Sequence, residues 1–186
     1  DLLESSGVDS SLLSDMNKDV NRLSVIAERF SKIGSKPEME LIYVNEVLEN
    51  ATEYMRRRVS DKVLITTHLP SDAEGAMVCL SLFEWVIENL CKNAVDAMNG
   101  EGRIDVYMTS EKQQIYIDIK DTGKGIARKN FKTVFNPGYT TKKRGWGLGL
   151  TLAKRIIEDY HAGRIYVKDS EVGKGTTFRI ELTRVV

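Results

Sequence analysis

The sequence predicts an α+β fold in which a mixed, largely antiparallel sheet carries helices on one face and is preceded by a projecting helix. Before Pro37, apolar residues recur at alternating steps of three and four, which is a helical spacing. From Met39 onward the apolar period switches repeatedly between two and about 3.6, the pattern of strands interspersed with helices. We therefore divide the chain into a helical segment, 1–36, and a larger domain, 37–186.

The N-terminal segment carries a heptad seam. Its a and d positions are Leu13, Met16, Val20, Leu23, Ala27 and Phe30. Helices with such a seam pack along their length against partner helices. An amphipathic helix lying on its own domain would also fit, but a strict heptad followed by Gly-Ser-Lys-Pro favours a projecting helix that meets a partner.

The first half of the domain reads as strand, helix, strand and helix. Leu41 and Tyr43 indicate a short strand, and Asn45 is a suitable N-cap for a helix running to about residue 58. The stretch 63–69 predicts a strand. The very apolar stretch 76–98 predicts a long central helix, buried on most sides.

The second half contains most of the sheet. Alternating apolar residues predict strands at 104–108, 115–119, 164–168 and 176–182. Residues 110–112 suit a hairpin turn between the first two strands. A Gly- and Lys-rich stretch, 121–147, lacks apolar periodicity, and a helix follows it to about residue 160.

Composition excludes several classes of protein. The 27 Lys and Arg residues balance 27 Asp and Glu residues, which argues against a general nucleic-acid binder. No apolar run is long enough to span a membrane and no signal peptide is visible. We expect Cys79 and Cys91 to be buried, reduced thiols on one helix, and the domain to be cytoplasmic.

Two motifs suggest a ligand site at the end of the long helix and after a strand. Asn89 and Asn93 are four residues apart, so they share one helix face, where an amide oxygen can ligate Mg²⁺. Asp121 opens the turn Asp-Thr-Gly-Lys-Gly-Ile, in which Gly123 and Gly125 let the backbone approach a ligand closely. Taken singly, each motif also fits an ordinary helix face or an ordinary turn.

Two further motifs suggest phosphate contacts. The polar and basic segment 135–144 is either a solvated loop or a lid that brings cations to phosphates. The segment Gly145-Trp-Gly147-Leu-Gly149 leads into a helix, whose first N–H groups and positive dipole end favour phosphate. Its spacing is neither that of a Walker A loop nor that of a Rossmann fingerprint.

In this order, the four motifs resemble the N, G1, F and G2 boxes of the gyrase, heat-shock-chaperone, histidine-kinase and mismatch-repair ATPase superfamily. The segment Gly173-Lys-Gly175-Thr176-Thr-Phe178 matches its closing glycine motif. The resemblance covers roughly residues 45–182. Residues 19–35 are similar to the end of the second dimerisation helix of sensor histidine kinases. One departure is Gly138, which stands where the F box has its second aromatic residue and puts lid packing in doubt.

The resemblance implies a site for ATP and Mg²⁺. Asn93 would be the metal ligand, Asn89 a polar neighbour of the phosphates, and Lys142 a cation reaching toward the γ-phosphate; these three are the candidate catalytic residues. Asp121 would accept from the adenine amine. The remaining candidate nucleotide-binding residues are Gly123, Gly125, Ile126, Thr140, Thr141, Gly145, Gly147, Leu148, Gly149 and Thr176.

Position 89 favours the histidine-kinase branch. The hydrolytic branches place a Glu four residues before the metal-binding Asn, as a base for water, and an Asn cannot take that proton at neutral pH. A neutral imidazole is already a nucleophile, so transfer to histidine needs less help. A hydrolysing ATPase, a serine kinase and a nucleotide-binding pseudokinase or dimerisation module remain the alternatives.

The phosphoacceptor is expected outside the given sequence. Its two histidines, His68 and His161, follow a strand and close a helix, and neither has the acceptor context of histidine kinases. The resemblance implies a homodimer through the N-terminal helix bundle, with a response-regulator receiver domain as the recipient of the phosphoryl group and no nucleic-acid partner.

Overall fold

A five-stranded mixed sheet forms the centre of the domain. The computed structural model describes residues 37–142 and 146–185, so the heptad seam lies outside the described residues and stays a prediction. Residues Glu38–Val186 form one compact unit. The assignment of 1–36 to a dimerisation helix stays a prediction. The strands are β1 (Glu40–Tyr43), β2 (Val63–His68), β3 (Gly75–Val78), β4 (Gly102–Glu111), β5 (Gln114–Asp121), β6 (Arg164–Glu171) and β7 (Gly175–Thr183).

The helices are α1 (Val44–Arg56), α2 (Leu80–Ala97) and α3 (Gly149–Arg155), and α3 continues as a π-helix over Ile156–Tyr160. The sheet order is β2-β4-β5-β7-β6, and only β2 and β4 run parallel among these neighbours. Strands β1 and β3 form a separate antiparallel ribbon. The predicted α+β class with a largely antiparallel sheet is confirmed.

The apolar face of the sheet forms the core with the helices. Cross-strand register aligns Ile117 of β5 with Met108 on one side and Ile180 on the other, and all three are buried. Helix α2 packs against β4, β5 and β7, while α3 packs against β6. Alternation of apolar and polar residues thus aims one side of each strand at the helices.

The opposite face carries an ionic network. The Asp118 carboxylate accepts from Arg179 at 2.6 and 2.7 Å and from the Lys168 ammonium at 2.7 Å. Burial alone would raise the pKa of Asp118, but the hydrogen bonds from Arg179 and Lys168 outweigh it and lower that pKa. The network ties β5, β7 and β6 together on this face, where Arg179 also lies over the Tyr116 ring, 4.9 Å from its centroid.

The stretch predicted as one helix over 76–98 is a strand followed by a helix, so that prediction is wrong at its start. Ala76 and Val78 are buried while Met77 is exposed, which is strand alternation, and β3 pairs with β1. The apolar run hid this change because buried strands and buried helices look alike in sequence. Cys79 consequently precedes α2 and is half-buried, whereas Cys91 lies in the helix, where burial raises the pKa of its thiol to about 12.

The predicted N-cap at Asn45 is also wrong. Helix α1 begins at Val44 without a side-chain cap. The Asn45 amide instead donates to the carbonyls of Pro70 and Asp72, at 2.9 and 3.0 Å, and accepts the N–H of Glu74 at 3.0 Å. Asn45 therefore holds the loop that leads into β3.

The remaining elements lie close to their predicted positions. The hairpin between β4 and β5 is confirmed, but its turn is Lys112 and Gln113, since Glu111 pairs with Gln114. Lys112 has a φ of +56°. The helix after the glycine-rich loop ends at Tyr160 as expected, with a π-helical last part.

His161 joins the end of that π-helix to the start of α2. Its Nδ1 lies 2.7 Å from the carbonyl of Ile156, and its Nε2 accepts the N–H of Cys79 at 3.0 Å. Accepting at Nε2 requires a neutral ring, with the proton on Nδ1. Burial lowers the pKa of His161, against both backbone hydrogen bonds.

We expect this histidine to make the fold acid-sensitive. Because the folded-state pKa lies below the ordinary value of about 6.5, its contribution is complete above that pH and is lost as pH falls below it. Urea unfolding at pH 7.5 and 5.5 should show that His161→Gln lowers the free energy of unfolding at pH 7.5. The same substitution should also reduce the drop in that free energy between pH 7.5 and pH 5.5. An unchanged slope in His161→Gln would contradict this account.

Candidate functional site

Helix α2 presents Asn89, Asn93 and Asp96 at spacings of four and three, which place them on neighbouring turns. The Lys142 ammonium lies 2.8 Å from Asn93 Oδ1 and 2.5 Å from Asp96 Oδ2. Asn89 does not take part in that contact. This helix surface is therefore an oxygen-rich position that already attracts a cation.

Asn89 faces the start of α3. A Cβ added at Gly149 would lie 2.5 Å from Asn89 Oδ1, so the glycine permits the close approach. Asn89 Nδ2 is buried without a hydrogen-bond partner among the described residues. A buried donor left unpaired is costly, so this atom fits an acceptor supplied by a ligand.

Asp121 ends β5 as a buried carboxylate, only 3% exposed. Its Oδ1 accepts the N–H groups of Gly123 at 2.8 Å and Thr176 at 3.3 Å. Burial raises the pKa of Asp121, and these two N–H groups oppose the rise. Within the described ranges no donor reaches Oδ2, so one oxygen remains to accept a hydrogen bond from a ligand.

The turn after Asp121 is wedged between two other segments. A Cβ at Gly123 would lie 2.7 Å from the backbone carbonyl of Ala97, at the end of α2. Gly125 has a φ of +69°, and a Cβ there would lie 2.1 Å from the carbonyl oxygen of Glu171. Both glycines are therefore required by close backbone approach, as expected from their motif.

Ser170 is a site residue that the sequence reasoning missed. Its hydroxyl oxygen accepts the N–H of Ile126 at 2.7 Å and its proton goes to the carbonyl of Gly175 at 2.9 Å. Since that proton is used, the Thr176 hydroxyl donates to Ser170 across their 2.9 Å contact. A single serine near the end of a strand has no recognisable sequence pattern of its own. The one sequence feature that could have identified Ser170 is its position just before Gly173-Lys-Gly175.

Residues 138–142, here called the strap, connect the two halves of the site. The Gly138 N–H donates to the Gly147 carbonyl at 3.1 Å. At the other end, the Thr141 hydroxyl accepts from the Lys124 ammonium at 2.8 Å, and Lys142 contacts α2. Gly138 has a φ of +79°, a backbone conformation that favours glycine. Where the F box has its second aromatic side chain, this chain therefore has a glycine that is held by a backbone hydrogen bond.

Residues 146–148 lead into the start of α3. Gly145 lies in 143–145, outside the described residues, and its predicted role stays a prediction. Leu148 precedes the helix and Gly149 begins it, and no described side chain caps this end. Its first N–H groups therefore remain available to an anion. Thr140 accepts the N–H of Lys142 at 3.1 Å, so it shapes the strap itself.

Residues 80–185 match the family described as "Histidine kinase-, DNA gyrase B-, and HSP90-like ATPase". The chain belongs to this family. Members of the family bind ATP, and the oxygen-rich helix face, the buried carboxylate and the uncapped helix start all lie within the matched residues.

Curated relatives include sporulation kinase A of Bacillus subtilis (strain 168), 40% identical over 99 residues, or 53% of this chain and 16% of the relative. Sensor kinase CckA of Brucella abortus (strain 2308) is 32% identical over 164 residues, 79% of this chain and 17% of the relative. The chain thus spans about a sixth of the length of these relatives.

Solved structures share the fold. The catalytic domain of histidine kinase ThkA has a TM-score of 0.71 at 22% identity, covering 79% of this chain and 96% of that one. Full-length ShkA in complex with AMPPNP has a TM-score of 0.79 at 20% identity, over 95% and 39% of the chains. ThkA in complex with response regulator protein TrrA has a TM-score of 0.76 at 19% identity, over 96% and 52%.

The residues of this ATPase-family site suit Mg²⁺. Among the described residues there is no cluster of three or more His, Cys, Asp or Glu side chains that could hold a metal alone. Mg²⁺ prefers oxygen and usually shares its shell between one or two protein oxygens and substrate phosphates. Asn93 Oδ1, which accepts from an ammonium group here, is such an oxygen.

We expect Gly123 and Gly149 to differ in how well each tolerates an added methyl group. Gly123→Ala drives Cβ into the backbone of α2, which cannot move alone, and should destabilise by about 1–3 kcal/mol. Gly149→Ala meets only the Asn89 side chain, which can rotate, so it should cost less stability while displacing that amide. Urea midpoints measure both effects; equal losses for the two variants would contradict the assignment of backbone and side-chain contacts.

Proposed function

We propose that this chain is the catalytic domain of a sensor histidine kinase, which binds ATP with Mg²⁺ and transfers the γ-phosphate to a histidine. The observation that carries the proposal is Asn89, an amide beside the phosphate-binding glycines where a hydrolase needs a carboxylate base. Its neighbour Glu88 is paired with Lys92 at 3.1 Å, and Asp96 is paired with Lys142. Glu88 also lies about 100° round the helix from Asn89, so it is a poor substitute for that base.

Each group has a definite task in this proposal. Asp121 Oδ2 accepts a proton of the adenine amine, while Gly123, Gly125 and Ile126 form the wall beside it. The N–H groups at Gly147, Leu148 and Gly149 and the Asn89 amide donate to phosphate oxygens, and Thr140 and Thr141 border them. Thr176 fixes the Asp121 carboxylate through its own N–H.

Asn93 would hold Mg²⁺, with Asn89 beside it. When bound, the metal would neutralise charge on the phosphates. Lys142 lies on the strap next to Asn93, close enough to turn from Asp96 toward a γ-phosphate. The chain thus supplies position and charge, and the nucleophile is an imidazole nitrogen, which needs no strong base.

The partners of the whole protein belong to the same proposal. The relatives are sensor and sporulation kinases, one similar structure holds AMPPNP, and another holds a response regulator. We infer a cytoplasmic domain that works in a homodimer formed by helices including residues 1–36, with a receiver domain as recipient. Among the described residues no helix is long and apolar enough to cross a membrane.

The Asp121 assignment predicts a loss of ATP affinity. A hydrogen bond to a charged group contributes about 1.5–3 kcal/mol, so Asp121→Ala should weaken ATP binding roughly 10- to 150-fold. GTP, with a carbonyl in place of the amine, should bind far worse than ATP to the wild type. Calorimetry on folded protein measures this, and an affinity for ATP within twofold of wild type would contradict the role of Asp121.

Phosphotransfer tests the reaction itself. A longer chain that includes the upstream helix should label itself from γ-labelled ATP, giving an acid-labile, base-stable phosphoramidate, and Asn93→Ala should abolish labelling while keeping some adenine affinity. The present chain should bind ATP without labelling His68 or His161. An acid-stable product would indicate serine transfer, and ATP binding with no product in the longer chain would indicate a pseudokinase.

A further inference from the structure

The contact between Lys142 and α2 lies on the atom assigned to the metal. The ammonium group is shared between Asn93 Oδ1 and Asp96 Oδ2, the shorter distance being the one to Asp96, at 2.5 Å. Asp96 is one turn beyond Asn93 on the same helix. Its carboxylate supplies the opposite charge, so Asp96 rather than Asn93 sets where the lysine is held.

Lys142 must leave Asn93 before that oxygen can accept a divalent cation. Mg²⁺ binds oxygen at about 2.0–2.1 Å, and the lysine nitrogen lies 2.8 Å from the same oxygen. If both bound Asn93, the doubly charged Mg²⁺ and the Lys142 ammonium group would lie within a few ångströms of each other, and the repulsion between them is strong near a protein surface. The lysine contact and a bound metal ion therefore exclude each other at Asn93.

The strap transmits this contact to the rest of the site. Thr141, next to Lys142, receives a hydrogen bond from Lys124, in the turn after Asp121. The strap is therefore attached at neighbouring residues both to α2 and to the turn that borders Asp121. Release of Lys142 removes the only ion pair in the described part of the strap.

We propose that Asp96 is a positioning residue that holds Lys142 on the metal-binding oxygen while nucleotide is absent, so that metal-nucleotide must compete with this lysine. The inference rests on the proposed ATP site. It assigns a role to Asp96, a residue with no part in the nucleotide contacts given above. Loss of the Asp96 carboxylate should increase the fraction of protein ready to bind metal-nucleotide.

Calorimetry with Mg²⁺·ADP tests the proposal. ADP lacks the γ-phosphate assigned to Lys142, so removing the lysine does not remove a ligand contact. Asp96→Asn should tighten Mg²⁺·ADP binding about two- to fivefold, the size expected for one solvent-accessible ion pair. Lys142→Met should have a similar effect, the double variant should add little to either, and Asp96→Glu should stay near wild type.

Two comparisons separate this contact from general effects of charge. Glu53→Gln removes a carboxylate that pairs with Arg56 and Arg57 on α1, and it should leave ADP affinity unchanged. In EDTA no metal competes with Lys142, so Asp96→Asn should change ADP affinity less than twofold. Hydrogen exchange in the nucleotide-free protein should be faster at 138–142 in Asp96→Asn than in wild type.

Several results would overturn the proposal. Weaker Mg²⁺·ADP binding by Asp96→Asn would mean that Asp96 itself serves the metal. A gain that persists in the Lys142→Met background, or equally in EDTA, would mean that only overall charge matters. Failure of the wild type to bind Mg²⁺·ADP at all would instead overturn the proposed function, so the two failures are distinguishable.

Discussion

The site depends on one buried carboxylate oxygen, Asp121 Oδ1, which accepts backbone N–H groups from two separate segments. One donor is Gly123, two residues ahead in the same turn, and the other is Thr176, the second residue of β7, 55 residues further along the chain. Burial raises the pKa of this carboxyl, and the two donors offset part of that cost. The turn, the strand and the remaining carboxylate oxygen are thereby held in one arrangement.

The glycines around this oxygen follow from the same constraint. A Cβ at Gly175 would lie 1.9 Å from the Asp121 carbonyl oxygen, and one at Gly125 would lie 2.1 Å from the Glu171 carbonyl oxygen. Ser170 then joins the two glycine turns by accepting from Ile126 and donating to Gly175. Glycine is needed at these positions because three backbone segments meet at distances that leave no room for a Cβ atom.

The sequence predicted most of the fold and the glycine motifs because both depend on local patterns. Alternating apolar residues located β4 and β5, and the Asp-x-Gly-x-Gly spacing located the turn. It missed β3, since Ala76–Val78 continues an apolar run, and misassigned Asn45, whose amide bonds a loop 25 to 29 residues away. Contacts such as that between Lys142 and Asp96, 46 residues apart, leave no local pattern.

The position of β7 in the sheet affects how the domain is synthesised. This strand is the last described strand in sequence order yet lies between β5 and β6, so the sheet stays divided until nearly all of the domain has been synthesised. Thr176, which completes the hydrogen bonding of Asp121, belongs to that strand. A nascent chain therefore cannot complete the hydrogen bonding of Asp121 before β7 is made, and premature termination before β7 leaves unpaired the edges of β5 and β6 that face this strand.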